Sequence, residues 1–253
     1  YLYTVKDGSG AAGSTLPQAW WTLDNNGRLY IQCDSENGET AVIAQRNFPD
    51  WWYNNPDRKE AWGAVRDQVR SIVISESFEV EQSATYTYEH VRANASSSDC
   101  REARNEGMSW WFTWMPNLKD ISGLRIPDGI VCAGLFWGSW GLETLEGAYG
   151  TFQMPESCGN WNGLLGSTAL KELPEGFTIP NGVFVSRCLF QGAPLSMLPE
   201  GFSIPSSVIV GSGIFKNCPE LSSLPESLKL YGISSDNSMF KFDATQDVAS
   251  YPR

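Results

Sequence analysis

LKELPEGFTIPNGVFVSRCLF, from Leu170 to Phe190, is followed after QGAP by LSMLPEGFSIPSSVIVGSGIF, from Leu195 to Phe215. Two near-copies 25 residues apart are the mark of stacked supersecondary units, since a fixed period of roughly 20–50 residues means that each unit is one turn of a larger coil. Working outward, apolar-Phe anchor pairs stand at Trp111-Phe112, Leu135-Phe136, Leu189-Phe190, Ile214-Phe215 and Met239-Phe240, with Leu164-Leu165 in the remaining slot. The intervals are 24, 29, 25, 25 and 25 residues. A second apolar pair follows each of the first five anchors: Leu118/Ile121, Leu142/Leu145, Leu170/Leu173, Leu195/Leu198 and Leu221/Leu224.

Each such unit has an apolar face too small to bury by itself, so neighbouring units must stack to make a continuous core. Apolar-Pro steps at Ile126-Pro127, Met154-Pro155, Ile179-Pro180 and Ile204-Pro205 end backbone pairing, because proline has no N–H to donate. Gly, Ser and Asn supply the corners. Helical periodicity is absent here, and the chain's 14 prolines and 24 glycines would break any long helix. The expectation is a mainly β chain of short strands and turns, coiled into a solenoid of about five units of ~25 residues.

Residues 1–105 carry no such repeat and read as a small N-terminal module that is β-rich or α+β, with the repeat domain at 106–253. WTLDNNGRLYIQC places Leu23, Leu29 and Ile31 around Asn26-Gly27, a strong hairpin signal. Asn37-Gly38 marks a second turn before AVIAQ. Val65 and Val69 precede the run Ile72-Val73-Ile74, which predicts a helical turn running into a strand. The polar segment around ANASSSD forms the border.

The formal net charge of -11 and the absence of a Lys/Arg cluster disfavour nucleic acid and anionic lipid as partners. No apolar run approaches the roughly 18 residues of a spanning helix, so membrane insertion is not expected. The six cysteines, Cys33, Cys100, Cys132, Cys158, Cys188 and Cys218, form no CxxC pair, and His90 is the single histidine. No metal framework is expected, and small buried thiols are favoured over disulfides.

VIVGSGIFKNCPELSSLP (Val208–Pro225) and VFVSRCLFQGAPLSMLP (Val183–Pro199) resemble the BspA-like leucine-rich repeat of bacterial cell-surface proteins: a valine, a small residue, an apolar-Phe pair, a polar turn and Leu-x-x-Leu. WTLDNNGRLYI and FPDWWYNNPDRKEAWGAVRDQVRSIVI resemble the segment that often precedes such repeats. The resemblance spans about Trp20 to Phe240. The insertion around GAYGTFQMPESCGNWNG departs from it, and only Cys218 stands where the family often has cysteine. The last unit lacks its Leu-x-x-Leu pair, from which a longer natural protein is expected.

The resemblance implies a cell-surface or secreted bacterial protein, an adhesin that binds host or neighbouring-cell proteins or glycans as a monomer, without catalysis, metal or cofactor. Glycosylation at Asn94-Ala95-Ser96 would then be idle. The residues themselves offer little chemistry. His90 has no nucleophile elbow beside it, since Gly138-Ser139-Trp140-Gly141 is not G-x-S-x-G. Gly8–Gly13 satisfies G-x-G-x-x-G, but Pro17 and two tryptophans stand where the helix should begin, so a flexible terminal segment is the better reading. Asp34–Glu39 reads as an acidic turn, with calcium the lesser alternative. The 29 Asp and Glu contain no pair that stands out as a glycosidase dyad.

Tryptophan is the informative residue type, with 11 in the chain. Trp111 fills an anchor slot and belongs to the core. Trp114, Trp137 and Trp140 fall in the turn after the anchor, where later units place Lys216 and Asn217 or Gln191 and Gly192. Aromatic residues at usually polar positions predict an apolar patch on one edge of the coil. That patch either packs against the N-terminal module and its Trp51, Trp52 and Tyr53, capping the open end, or presents faces for stacking on a sugar ring or a protein anchor. Adhesin, carbohydrate-binding module and inert spacer are therefore the competing functions.

Overall fold

The computed structural model describes residues 3–6, 19–33, 42–43, 62, 65–74, 78–80, 107–154, 156–209, 211–225 and 228–230. Among them the regular structure is strand and tight turn, with no α-helix and one short helical turn around Val65. β1 (Tyr3–Lys6), β2 (Ala19–Leu23) and β3 (Arg28–Cys33) run antiparallel in that order. β4 (Val42–Ile43) lies outside this sheet; β5 (Ser71–Ile74) joins β3 in parallel, and β6 (Glu79–Val80) pairs in parallel with β4. β7 (Asp120–Leu124) adds to β5, also in parallel, completing the order β1-β2-β3-β5-β7.

The hairpin forms at the residues the sequence points to. Asp24 Oδ1 accepts the backbone N–H of Asn26 at 2.8 Å and of Arg28 at 2.9 Å, so the side chain nucleates the turn it precedes. Gly27 has φ 78°, a left-handed conformation that glycine adopts without a Cβ penalty. Beyond the turn the strands alternate: Trp21, Leu23, Leu29 and Ile31 are buried, while Thr22, Tyr30 and Gln32 are half-exposed. Register places Trp21 opposite Ile31 and Leu23 opposite Leu29, then Leu29 beside Ile72 and Ile31 beside Ile74. One apolar face thus runs across the sheet into the core.

From Gly107 onward the chain is a succession of tight turns. The anchor pairs sit inside these turns rather than in strands, and the backbone geometry supplies the reason. Each unit has two left-handed residues four apart: Trp110 and Trp114, Gly134 and Gly138, Gly163 and Ser167, Cys188 and Gly192, Gly213 and Asn217, with φ of 52–75°. Such residues curl the chain where a strand would extend it. The intervals between these pairs follow the sequence period, 24, 29, 25 and 25 residues.

Backbone N–H groups divide between two duties. Some close turns within a unit, as Leu135 N–H to Cys132 O and Leu189 N–H to Ser186 O. The alternate ones reach the next unit, as in the run Phe112 to Leu135 O, Phe136 to Leu164 O, Leu165 to Leu189 O and Phe190 to Ile214 O at 2.9–3.0 Å. Stacking therefore satisfies polar groups that a single unit would leave unpaired in its own core.

The second anchor residues Phe112, Phe136, Leu165, Phe190 and Phe215 are all buried to within 1 %. Phe112 stacks on Phe136 at 6.0 Å and Phe190 on Phe215 at 5.8 Å. Apart from β7, regular strands in this half are two residues long: β8 (Glu146–Gly147) and β9 (Gly150–Thr151) form a hairpin in the insertion, and β10 (Ser203–Ile204) pairs in parallel with β11 (Lys229–Leu230). β10 stops at Pro205, as the missing N–H requires.

Candidate functional site: an aromatic edge

The turn after each anchor faces the edge of the stack, and its conformation decides what the tryptophans can do. Trp110 and Trp114 occupy the left-handed slots of the first unit, with φ 66° and 55°. For a bulky L-residue this conformation costs on the order of 1–2 kcal/mol, so packing must compensate.

That packing comes from glycines one coil further on. A Cβ at Gly134 would run into the Trp110 ring, and one at Gly138 would come within 2.8 Å of the Trp114 indole. Trp137 lies in the same way over Gly163 and Gly166. Each indole thus rests on bare backbone that only glycine provides.

Of the three tryptophans singled out by position, Trp114 and Trp137 are half-buried and Trp140 is 54% exposed. Trp114 and Trp140 meet edge to face, with centroids 5.2 Å apart and planes at 72°, a preferred geometry for two quadrupoles. The pair makes a corner in which Trp140 is the more exposed of the two rings. Trp110, Trp111 and Trp161 are buried.

The capping role expected of Trp51, Trp52 and Tyr53 falls on residues outside the described set. Within it, Trp62 covers the first coil: its Nε1–H donates to Trp111 O at 2.9 Å, and its ring stacks on Phe112 at 5.5 Å. Nothing in AWGAVRD distinguished Trp62 from an ordinary core aromatic.

A second exposed aromatic, Tyr149, was visible only as part of the insertion that lengthens one period to 29 residues. It sits at the tip of the β8–β9 hairpin, which Asp120 of β7 holds. Asp120 Oδ2 accepts the Ala148 N–H at 2.9 Å, and Oδ1 accepts from Ser122 Oγ at 2.6 Å and Ser122 N–H at 2.8 Å. Ser122 Oγ in turn accepts the Tyr149 N–H at 3.0 Å. Partial burial pushes the Asp120 carboxyl up, but these donors and the Arg28 charge outweigh it and hold the group below its ordinary value.

Arg28 donates to Tyr30 Oη at 3.1 Å. Across three coils Glu143 bridges Lys119 at 3.5 Å and Lys171 at 3.9 Å, exposed pairs worth little in stability. An open cleft of about 410 Å³ lies at the β2–β3 turn, lined by residues including Asp24, Asp67 and Arg70; the Asp24 carboxylate there is already engaged by the turn. Among the described residues no group of three or more His, Cys, Asp and Glu could hold a metal ion, and no helix is long and apolar enough to cross a membrane. His90, Gly8–Gly13 and Asp34–Glu39 lie outside the described residues.

No family model matches this chain. No curated protein matches it either. Among solved structures it is similar to a leucine-rich repeat protein from Eubacterium ventriosum, at 12% identity and a TM-score of 0.43, over 88% of this chain and 44% of that one. The chain therefore spans less than half the length of that protein.

Proposed function

We propose that this chain is a recognition module of the leucine-rich-repeat type, BspA-like in its repeat, that binds a macromolecule through the aromatic edge without a chemical step. The observation that carries this reading is Trp140, a large apolar side chain left 54% exposed while Trp114 braces it at 5.2 Å. A protein that leaves such a group in water while burying Trp110, Trp111 and Trp161 offers an anchor for a partner. In this reading the stack is a solenoid, the protein is secreted or displayed on a bacterial surface, and its role is adhesion to host or neighbouring-cell molecules.

Carbohydrate binding is the second reading, favoured by the exposed indole of Trp140, which meets Trp114 edge to face. A sugar ring can stack there by its C–H face, and one indole suits one ring.

The test is a binding screen of the purified chain against extracellular-matrix proteins and glycans, beside a folded Trp140→Ala variant. Loss of a protein ligand in the variant supports the adhesin reading, and loss of a glycan supports the alternative. Binding that survives the substitution moves recognition off this edge. No binding by either protein leaves a spacer as the role.

A further inference from the structure

The unusual feature left unused by recognition is a buried pair of thiols. Cys132 and Cys158 belong to consecutive coils, are both fully buried, and bring their Sγ atoms within 3.3 Å of each other. Both thiols point at one acceptor, the Ile130 carbonyl, at 3.6 Å from Cys132 and 2.7 Å from Cys158. A single carbonyl thus gathers the two sulfurs. Cys218, by contrast, spends its thiol on the Phe190 carbonyl at 3.1 Å. The Cys132 N–H also donates to Asn160 O at 3.3 Å, so the backbones of the two coils run side by side at this point.

We propose that Cys132 and Cys158 are a cross-linking site, closed to a disulfide that staples the second coil to the third. A disulfide bond is about 2.05 Å long, so closure asks each sulfur to move by well under 1 Å, within reach of small side-chain torsions. The location has a structural logic. The insertion carrying the β8–β9 hairpin stretches this one period to 29 residues, and a longer excursion gives the unfolded chain more freedom. A cross-link closing that loop removes part of it.

The oxidant is a small disulfide of the glutathione class. One cysteine, as thiolate, attacks the oxidant's S–S bond and forms a mixed disulfide while expelling one thiol. The second cysteine then attacks the protein sulfur and expels the other. Two protein thiols become one S–S bond, two hydrogens leave, and the oxidant is reduced to two thiols. Burial and the neighbouring sulfur raise the Cys132 thiol well above its ordinary value, so the thiolate is scarce once the coils are packed. Exchange accordingly happens while the stack assembles, and the folded reduced protein reacts slowly.

The experiment is to refold the whole chain with mixed oxidised and reduced glutathione, alkylate remaining thiols, and map the peptides by mass spectrometry. The expected result is a peptide pair joined through Cys132 and Cys158, lighter by two hydrogens than the sum of its reduced parts, and an unfolding midpoint several degrees above that of the reduced protein. The Cys132→Ala/Cys158→Ala variant should show no difference between oxidising and reducing conditions. Should that variant fail to fold, the peptide map and reduction of the wild-type chain still decide. Recovery of both residues as alkylated thiols, or pairing of either with a different cysteine as the main product, overturns the assignment.

Discussion

The indole N–H of Trp62 lies 2.9 Å from the backbone carbonyl of Trp111, 49 residues further along the chain and buried with it. This bond ties the segment before β5 to the first coil: at later units the matching carbonyl accepts an N–H from the coil before it, and among the described residues Trp62 takes that place at Trp111.

Trp62→Phe keeps the ring over Phe112 but removes the donor. The expected cost is about 1–3 kcal/mol, the penalty of a buried acceptor left unpaired. Trp62→Ala also opens a cavity and should cost roughly 3–5 kcal/mol. Urea unfolding of the two variants separates the bond from the packing; a Trp62→Phe variant as stable as wild type would show that the bond contributes nothing.

Gly134→Ala and Gly176→Ala form a contrasting pair. Both glycines have positive φ, 61° and 76°, so each alanine carries a conformational cost of about 1–2 kcal/mol. A Cβ at Gly176 meets open space, whereas at Gly134 it strikes the Trp110 ring, adding roughly 1–3 kcal/mol of overpacking. Thermal unfolding should therefore rank Gly134→Ala as the more damaging change.

Asp120 gives stability a pH dependence of definite sign. Its carboxyl is held below the ordinary value by the Ala148 and Ser122 donors and Arg28, against the opposing effect of burial. A depressed folded-state pKa contributes stability above the unfolded value, about 3.9, and that contribution is lost as pH falls through the folded value. Asp120→Asn should be less stable than wild type at pH 7, with the gap narrowing in strong acid. A gap that widens on acidification would contradict the assignment.

Trp140→Ala should leave the fold intact at a cost of about 0.5–1.5 kcal/mol, the worth of its edge-to-face contact with Trp114. Acrylamide should quench Trp140 emission in the free protein and spare Trp111 and Trp161, which are buried. Ligand should then protect Trp140.

The period was legible because burial enforces it: an apolar pair must recur wherever a coil returns to the core, and Phe112, Phe136, Phe190 and Phe215 do so. The hairpin at Asn26-Gly27 was legible because its turn chemistry is local. The left-handed slots were hidden, since Trp, Gly, Ser, Cys and Asn share them and residue type no longer signals conformation. For the same reason the three edge tryptophans looked equivalent in sequence. Their difference depends on whether glycine lies beneath them, at Gly138 or at Gly163 and Gly166, one coil away. Trp62 and Asp120 act across 49 and 28 residues, through hydrogen bonds to backbone groups whose partners no side-chain pattern announces.

The alternate N–H groups that point from coil to coil also set how the stack answers to force. These bonds lie along the direction of stacking, so tension on the chain ends loads one intercoil seam at a time and unspools the coils in turn. A released unit of 25 residues adds roughly 80–90 Å of extended chain. Pulled by single-molecule force spectroscopy under reducing conditions, which leave Cys132 and Cys158 unlinked, the repeat half should show a sawtooth of nearly equal steps, with one longer step from the unit that carries the hairpin. Repeats joined in this way yield to tension by lengthening, one seam after another, under a load that a single rigid seam would have to bear whole.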